Sequence, residues 1–392
     1  MSLSGEQSAG LVDRDRLVDR LQRLVRTPSE NPPGEEKAAA DLVHSMCDEL
    51  GLKVTEYEAQ TDRPSVVARW SGGTGPTLTY CSHIDVVPVG DPALWAADPF
   101  SGDIKDGHMH GRGSADAKGP VAAALEAVAV LKAAGFEPQG TLELALVADE
   151  ETMGFQGAGY LVDEKILQPD VAIVGEPTSL RLVRAQRGAN WFRISTRGVA
   201  GHGSAPERGV SAIKHMSEIV LRLEETLPDV KHELLGGPSI NVGTIKGGEK
   251  TNIIPAGCVI EVDRRSIPQE SQADVRASID AALDLARKKF PDLDATVELE
   301  FEATPFEIPE NASLVREMCG AIAEATGNDA EIMGFRGASD ARFLRDTGAD
   351  VVVCGPGDIA VAHTAHESID LDELERCASI YALAFARLLS ST

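Results

Sequence analysis

Apolar positions along this chain follow two rhythms, and the rhythm changes twice. From Asp13 to Leu24 the residues Leu17, Leu21 and Leu24 fall on one helical side. Asn31-Pro32-Pro33-Gly34 breaks that pattern, and the spacing predicts a second helix from Glu36 to Leu50, stopped by Gly51. Val66–Trp70 and Thr77–Cys81 read as strands. Pro120–Ala134 is an alanine-rich helix closed by Gly135, and Thr141–Val147 and Val171–Val174 are apolar strands. Met1–Gly10 is small and polar and reads as a frayed end, without the pattern of a signal peptide.

A different order then appears. Asn190–Thr196 alternates as a strand, and Gly209–Leu227 is an amphipathic helix. Ser239–Ile245 and Gly257–Arg265 are strands, Gln272–Lys289 is a helix and Ala295–Phe301 is a strand. That βαββαβ sequence fits a small ferredoxin-like sandwich inserted into another domain. From Glu310 the first style resumes, with a helix to Thr326, a strand near Glu331–Met333, a helix after Ala338, a buried-type strand Val351–Cys354 and a final helix from Asp370. Strands alternating with helices predict an α/β domain with a mostly parallel sheet. The expected division is a discontinuous catalytic domain, 1–185 and 301–392, with the insert at 186–300.

Four apolar strand runs end in metal-ligand chemistry. Thr77–Cys81 leads to His83 and Asp85, and Thr141–Val147 to Glu150 and Glu151. Val171–Val174 leads to Glu176, and Val351–Cys354 leads through Gly355-Pro356-Gly357 to His363. Ligands bind outside the carboxyl ends of strands in such sheets, so parallel neighbours would bring all four groups to one rim. Imidazole and carboxylate suit zinc, with cobalt or manganese as alternatives. Two ions about 3.5–4 Å apart need a bridging ligand. Asp116, in Gly111-Arg112-Gly113-Ser114-Ala115-Asp116, suits that role because its glycine-rich flanks let the loop wrap closely. One ion is then expected on His83, Asp116 and Glu176, the other on Asp116, Glu151 and His363. Asp85 is placed to orient the His83 ring. Glu150 is the spare carboxylate, suited to take a proton from metal-activated water and return it to a leaving amine.

Charge and cysteine content narrow the partners. The 392 residues carry a formal net charge of -25, which disfavours nucleic acid. No apolar run reaches the roughly 20 residues of a membrane span. The six cysteines form no Cys-x-x-Cys pair and read as buried free thiols of a cytoplasmic protein. Cys81 lies beside the metal loop but should point into the core.

The stretches SHIDVVP, GRGSADAKG, ADEETMG, GEPTSL, GHGSAP, TNIIP, DRR and GPGDIAVAH together resemble the di-zinc amidohydrolase and exopeptidase family of acetylornithine deacetylase, succinyl-diaminopimelate desuccinylase, aminoacylase-1 and carboxypeptidase G. The resemblance implies a zinc-exopeptidase-like catalytic domain, an inserted lid and a homodimer formed through that lid. It supports His363 over His366 as the ligand, because the family places a glutamate four residues later and Glu367 satisfies that for His363. It implies that His202 polarises the scissile carbonyl, in its own subunit or its partner's. It also implies that Asn252 and Arg265 hold substrate, and that Ser339 and Arg342 belong to a loop lining the pocket. The competing reading for Arg265 is a structural pair with Asp263. His108 and His110 share a metal-like spacing but sit in a hairpin-like turn, and Lys118 belongs to a helix start.

The expected activity is hydrolysis of the amide of an N-acyl amino acid, acetylornithine deacetylase-like or succinyl-diaminopimelate desuccinylase-like. The alternatives within the resemblance are a dipeptidase or carboxypeptidase and a catabolic aminohydrolase. The alternative outside enzymes is an inactive metal-binding homologue, against which the complete ligand set and Glu150 speak.

Overall fold

A computed structural model describes residues 3–390. Two compact units emerge. One holds the chain up to Arg184, together with Ile308–Met333 and the chain from Ser339 onward; the other holds Ala185–Glu307 and Gly334–Ala338.

The first unit is built on a sheet whose centre is parallel. Thr141–Val147, Thr77–His83, Val171–Val174 and Asp350–Val353 lie side by side in that order, each parallel to the next. These strands are buried along nearly their whole length, which is why they read as continuous apolar runs rather than alternating ones. Pro64–Ser71 adds antiparallel to Thr141–Val147, and Lys53–Glu58 pairs outside it. The helices Lys118–Ala133 and Leu371–Leu388 supply much of the core facing this sheet, through residues such as Leu125, Val128, Tyr381 and Phe385. A small antiparallel sheet joins Asp103–Lys105, His108–His110 and Ser368–Asp370. It confirms His108 and His110 as hairpin residues.

The second unit has four antiparallel strands in the order Ser239–Gly247, Gly257–Ser266, Gly188–Arg197, Asp294–Ala303. In chain order these are the second, third, first and fourth, the arrangement of a ferredoxin-like βαββαβ sandwich. Its helices Ala212–Leu223 and Gln272–Lys289 bury Met216, Ile219, Leu223, Ile279 and Leu283 against Phe192, Ile194, Ile260 and Val262.

The N-terminus departs from expectation. Met1 and Ser2 lie outside the described residues, but Gly5–Leu11 is a helix rather than a frayed end. Ser4 and Gln7 form a reciprocal capping box at its start. The Gly5 amide also bonds Glu324, which ties this helix to the body of the unit.

Candidate functional site

Because the four central strands run parallel, their carboxyl ends share one rim. His83 ends one strand; the next leads into a turn carrying Glu150 and Glu151; the third leads to Glu176; the fourth leads to His363. Asp116 arrives from the loop before Lys118–Ala133, and its peptide bond to Ala117 is cis.

Single ligand atoms of His83, Asp116 and Glu151 lie within 4.8 Å of one another. His83 Nε2 stands 3.1 Å from Asp116 Oδ1 and 4.0 Å from Glu176 Oε2. His363 Nε2 stands 3.3 Å from Asp116 Oδ2 and 3.1 Å from Glu151 Oε2. The two imidazoles therefore face different oxygens of one carboxylate, the geometry a bridging aspartate requires. All five expected ligands come together. His363 and His366 are both exposed, but His366 lines a cavity of about 560 Å³ with Trp95, Asp103 and His110.

The charges explain what such a site wants. Burial alone would lower the His83 pKa, but the Asp116 and Asp85 carboxyl groups carry it well above its ordinary value. Bonds to Asp116 and Glu151 raise His363 to about 10. Burial pushes Glu176 and Glu150 well above the usual carboxylate range, and Glu151 upward. Burial works against the Asp116 carboxylate too, yet His363 and His83 hold it well below its ordinary value. Buried carboxylates so close together hold protons unless a cation is present. Two imidazoles among oxygen donors are what a divalent zinc-like ion takes, so the residues fit such an ion.

Asp85 meets the His83 ring through both its backbone carbonyl and its carboxylate. The His83 Nδ1 proton goes to the Asp85 backbone carbonyl at 3.0 Å, which leaves Nε2 directed at the site. The nearer carboxylate oxygen is 3.5 Å from Nδ1. That carboxylate also accepts the backbone N–H groups of Glu150 and Glu151, at 3.3 and 3.1 Å, and the Asn31 amide at 2.9 Å. Asp85 thus ties the His83 strand end to the turn bearing both glutamates.

Three further groups had no role of their own in the sequence reading, though Glu367 served to choose His363 and Asp340 belongs to the loop expected to line the pocket. Glu367 accepts the amides of Ala115 and Asp116 at 3.1 and 3.2 Å and pairs with the buried Arg112, so it holds the Asp116 loop in place. Its spacing from His363 was the only local signal. Asn31 follows a hydrophobic helix and looks like turn punctuation. Asp340 is 2% exposed, and neither carboxylate oxygen has a hydrogen-bond partner among the described residues. Burial pushes it up to about 7. Ser339 is buried, its hydroxyl accepting the Ala341 amide. Arg342, expected to hold substrate, is 5% exposed, and its guanidinium donates to the carbonyls of Ser339 and Met153.

Lys118 starts its helix, is fully buried and donates to the Thr27 carbonyl at 2.8 Å; burial lowers its pKa to about 7. Cys81 is buried in its strand and burial raises its thiol well above the ordinary value.

In the second unit, His202 and Asn252 lie on neighbouring segments. A β-bridge joins His202 to Ile253, and the Gly203 amide donates to the Asn252 carbonyl at 2.8 Å. The His202 ring is exposed, with Nδ1 2.7 Å from the Ser204 hydroxyl. Arg265 is half-buried and donates through Nε and Nη2 to Asp263 at 3.1 and 2.9 Å, the structural pair that the sequence left open.

Residues 80–387 match the sequence model described as Peptidase family M20/M25/M40. A succinyl-diaminopimelate desuccinylase of Marinobacter nauticus is 28% identical over 385 residues, covering 95% of this chain and 98% of that protein. An acetylornithine deacetylase of Myxococcus xanthus is 33% identical over 338 residues, covering 84% of this chain and 85% of that protein. Among solved structures, the aminopeptidase PepT of Bacillus cereus superposes with a TM-score of 0.83 at 24% identity, over 97% of this chain and 100% of that one. At that identity the likeness speaks for the fold.

Proposed function

The chain belongs to the peptidase family M20/M25/M40, a family of hydrolases, and from that premise we propose that it hydrolyses the amide bond of an N-acyl amino acid. Its two curated relatives named above act on an acetylated and on a succinylated amino acid by their names. Those names support the proposed substrate class, with the acetyl and succinyl groups as the two leading acyl choices.

Two divalent ions are assigned to the rim, zinc first and cobalt or manganese next. His83, Asp116 and Glu176 would hold one; Asp116, Glu151 and His363 would hold the other. Bound there, such ions polarise a carbonyl oxygen and make water more acidic. The protein's own residues do the rest. Glu150 takes the proton of the attacking water and delivers it to the leaving amine nitrogen. His202 stabilises the charge that develops on the carbonyl oxygen, while Asn252 and Arg265 hold the remainder of the substrate and Ser339 lines its pocket. A homodimer joined through the second unit is part of the same reading, as is a reducing, cytoplasmic setting, which the six free thiols support.

One observation carries the proposal. The five expected ligands lie together, and one adjacent carboxylate, Glu150, makes no side-chain hydrogen bond among the described residues. A group placed beside the ligands and tied to none of them is what proton transfer needs. The test is turnover of N-acetyl, N-succinyl and N-formyl amino acids and of dipeptides, with zinc or cobalt added and with a chelator. Metal-dependent cleavage of an acyl amino acid supports the reading. Cleavage of dipeptides alone would replace it with a dipeptidase, and no turnover on any amide would favour an inactive homologue.

A further inference from the structure

The turn that presents Glu150 is held at both ends, by Asp85 at the front and by Arg342 at the back. Glu150–Thr152 is a single 3-10 turn flanked by two non-glycine residues in the left-handed region, Asp149 at φ 74° and Met153 at φ 86°. Such residues cost free energy, so the surroundings must impose the shape. At the front, Asp85 accepts the Glu150 and Glu151 amides. Beneath, the Asp149 carboxylate accepts the Thr152 hydroxyl at 2.8 Å and the Gln156 amide at 2.9 Å. At the back, the Met153 amide donates to the Glu150 carbonyl at 3.0 Å, and the Met153 carbonyl accepts from Arg342. Met153 is therefore bonded on one side to Glu150 and on the other to the guanidinium.

Arg342 is itself fixed. Its Nη1 donates to the Ser339 carbonyl at 3.2 Å, and its guanidinium carbon lies 4.2 Å from the centre of the Phe343 ring. Phe343 packs on the same loop: a side chain added at Gly154 or Gly159 would meet the ring at 3.1 or 3.0 Å, and Phe155 stacks edge-on at 5.6 Å. Asp340 Oδ1 also abuts Gly154. The Ser339–Phe343 segment thus forms a seat for the far end of the turn.

Glu150 and Glu151 depend on that seat unequally. The Glu151 carboxylate has its own restraints, the Val87 amide at 3.2 Å and His363. The Glu150 carboxylate has none among the described residues, so its place is set by the backbone alone. We infer that Arg342 is a positioning residue for Glu150, acting through the Met153 carbonyl, rather than a group that holds substrate. This rests on the reading of Glu150 as the proton carrier.

The test compares Arg342→Ala and Arg342→Lys for metal content, kcat and KM. With Glu150 displaced by about an ångström, kcat falls on the order of a hundredfold, while metal content and KM stay near those of the parent. Lysine, a single point charge, cannot span two carbonyls and should recover little. Millimolar guanidinium added to Arg342→Ala should restore part of kcat and leave KM alone. In a Glu150→Gln background, Arg342→Ala should cost little more, because the residues act as one unit. A rise in KM at unchanged kcat, a kcat loss that guanidinium does not relieve, or full additivity with Glu150→Gln overturns the inference. An active Glu150→Gln would instead remove the reading of Glu150 on which it stands.

Discussion

Replacing Glu367 probes the Asp116 loop, the proposed bridge, without touching a proposed metal ligand. Glu367 is 1% exposed and Arg112 2% exposed, and the two form a buried ion pair. The second carboxylate oxygen accepts the Ala115 and Asp116 amides, and the Glu367 backbone carbonyl accepts the Gly111 amide at 3.1 Å. Glu367→Ala leaves the Arg112 guanidinium buried without its carboxylate, which costs about 3–5 kcal/mol. It also strands two amides, but those costs overlap with the first and are not added. Glu367→Gln keeps an acceptor for the amides and loses the charge, so its cost is about 1.5–3 kcal/mol.

The loop that relaxes carries Asp116, so the effect reaches the metals. Loss of a group that orients a ligand typically lowers metal affinity by about 10–100-fold. The assay is a denaturant titration of the metal-free protein alongside zinc titration of the folded protein, for parent, Gln and Ala variants. The expected order in both is parent, then Gln, then Ala. An Ala variant within about 0.5 kcal/mol of the parent, with metal affinity unchanged, would refute the claim that Glu367 holds the bridge.

His363→Ala should lose one ion and nearly all activity, whereas His366→Ala should keep both ions and most of its turnover; metal analysis and kcat read both, and the reverse result would exchange the two histidines. Metal-free protein should lose stability as pH rises from about 4.5 toward 10. Burial raises Glu150 and Glu176 above their ordinary 4.5, and Asp116 and Glu151 raise His363 from 6.5 to about 10. Each binds more protons folded than unfolded, so its contribution is full below the unfolded value and fades as pH climbs through the folded one. Urea midpoints at pH 5, 7 and 9 in chelator should therefore fall, and midpoints that rise across that range would contradict the assignment. Gly154→Ala should destabilise the protein and lower kcat, since its φ is +63° and a Cβ there would lie 2.2 Å from Asp340 Oδ1; a melting temperature and kcat equal to the parent's would show that the seat under the turn is looser than drawn.

What the chain discloses locally is the ligands; what it conceals is their scaffolding. His83, Glu151, Glu176 and His363 each follow an apolar run or a glycine turn, a signal contained in a few residues. That their strands are parallel neighbours depends on pairings between distant segments, which the hydrophobic pattern allows but does not specify. The supports are harder still. Arg342 meets Met153 across 189 residues of chain, and Glu367 meets the Asp116 amide across 251. Neither contact has any periodicity to betray it. Asp85 was legible as a support for the His83 ring, whereas its backbone carbonyl's share in that support and its hold on the Glu150 turn were not. The strand Lys53–Glu58 was missed because its alternating charges mark an edge with little burial. The helix Gly5–Leu11 was missed although Ser4 and Gln7 spell a capping box, since small polar residues around it suggested a loose end. Gly334–Ala338 lies far in sequence from the rest of the second unit, so its membership there comes only from contacts.

The most direct test of a metal hydrolase driven by Glu150 is to measure bound metal and kcat together in parent and Glu150→Gln protein. The account predicts two ions per chain in both, with kcat in the variant lower by roughly 10²–10⁴-fold. A variant that keeps its turnover, or one that loses an ion along with it, would contradict the separation of proton carrier from metal ligands on which the account rests.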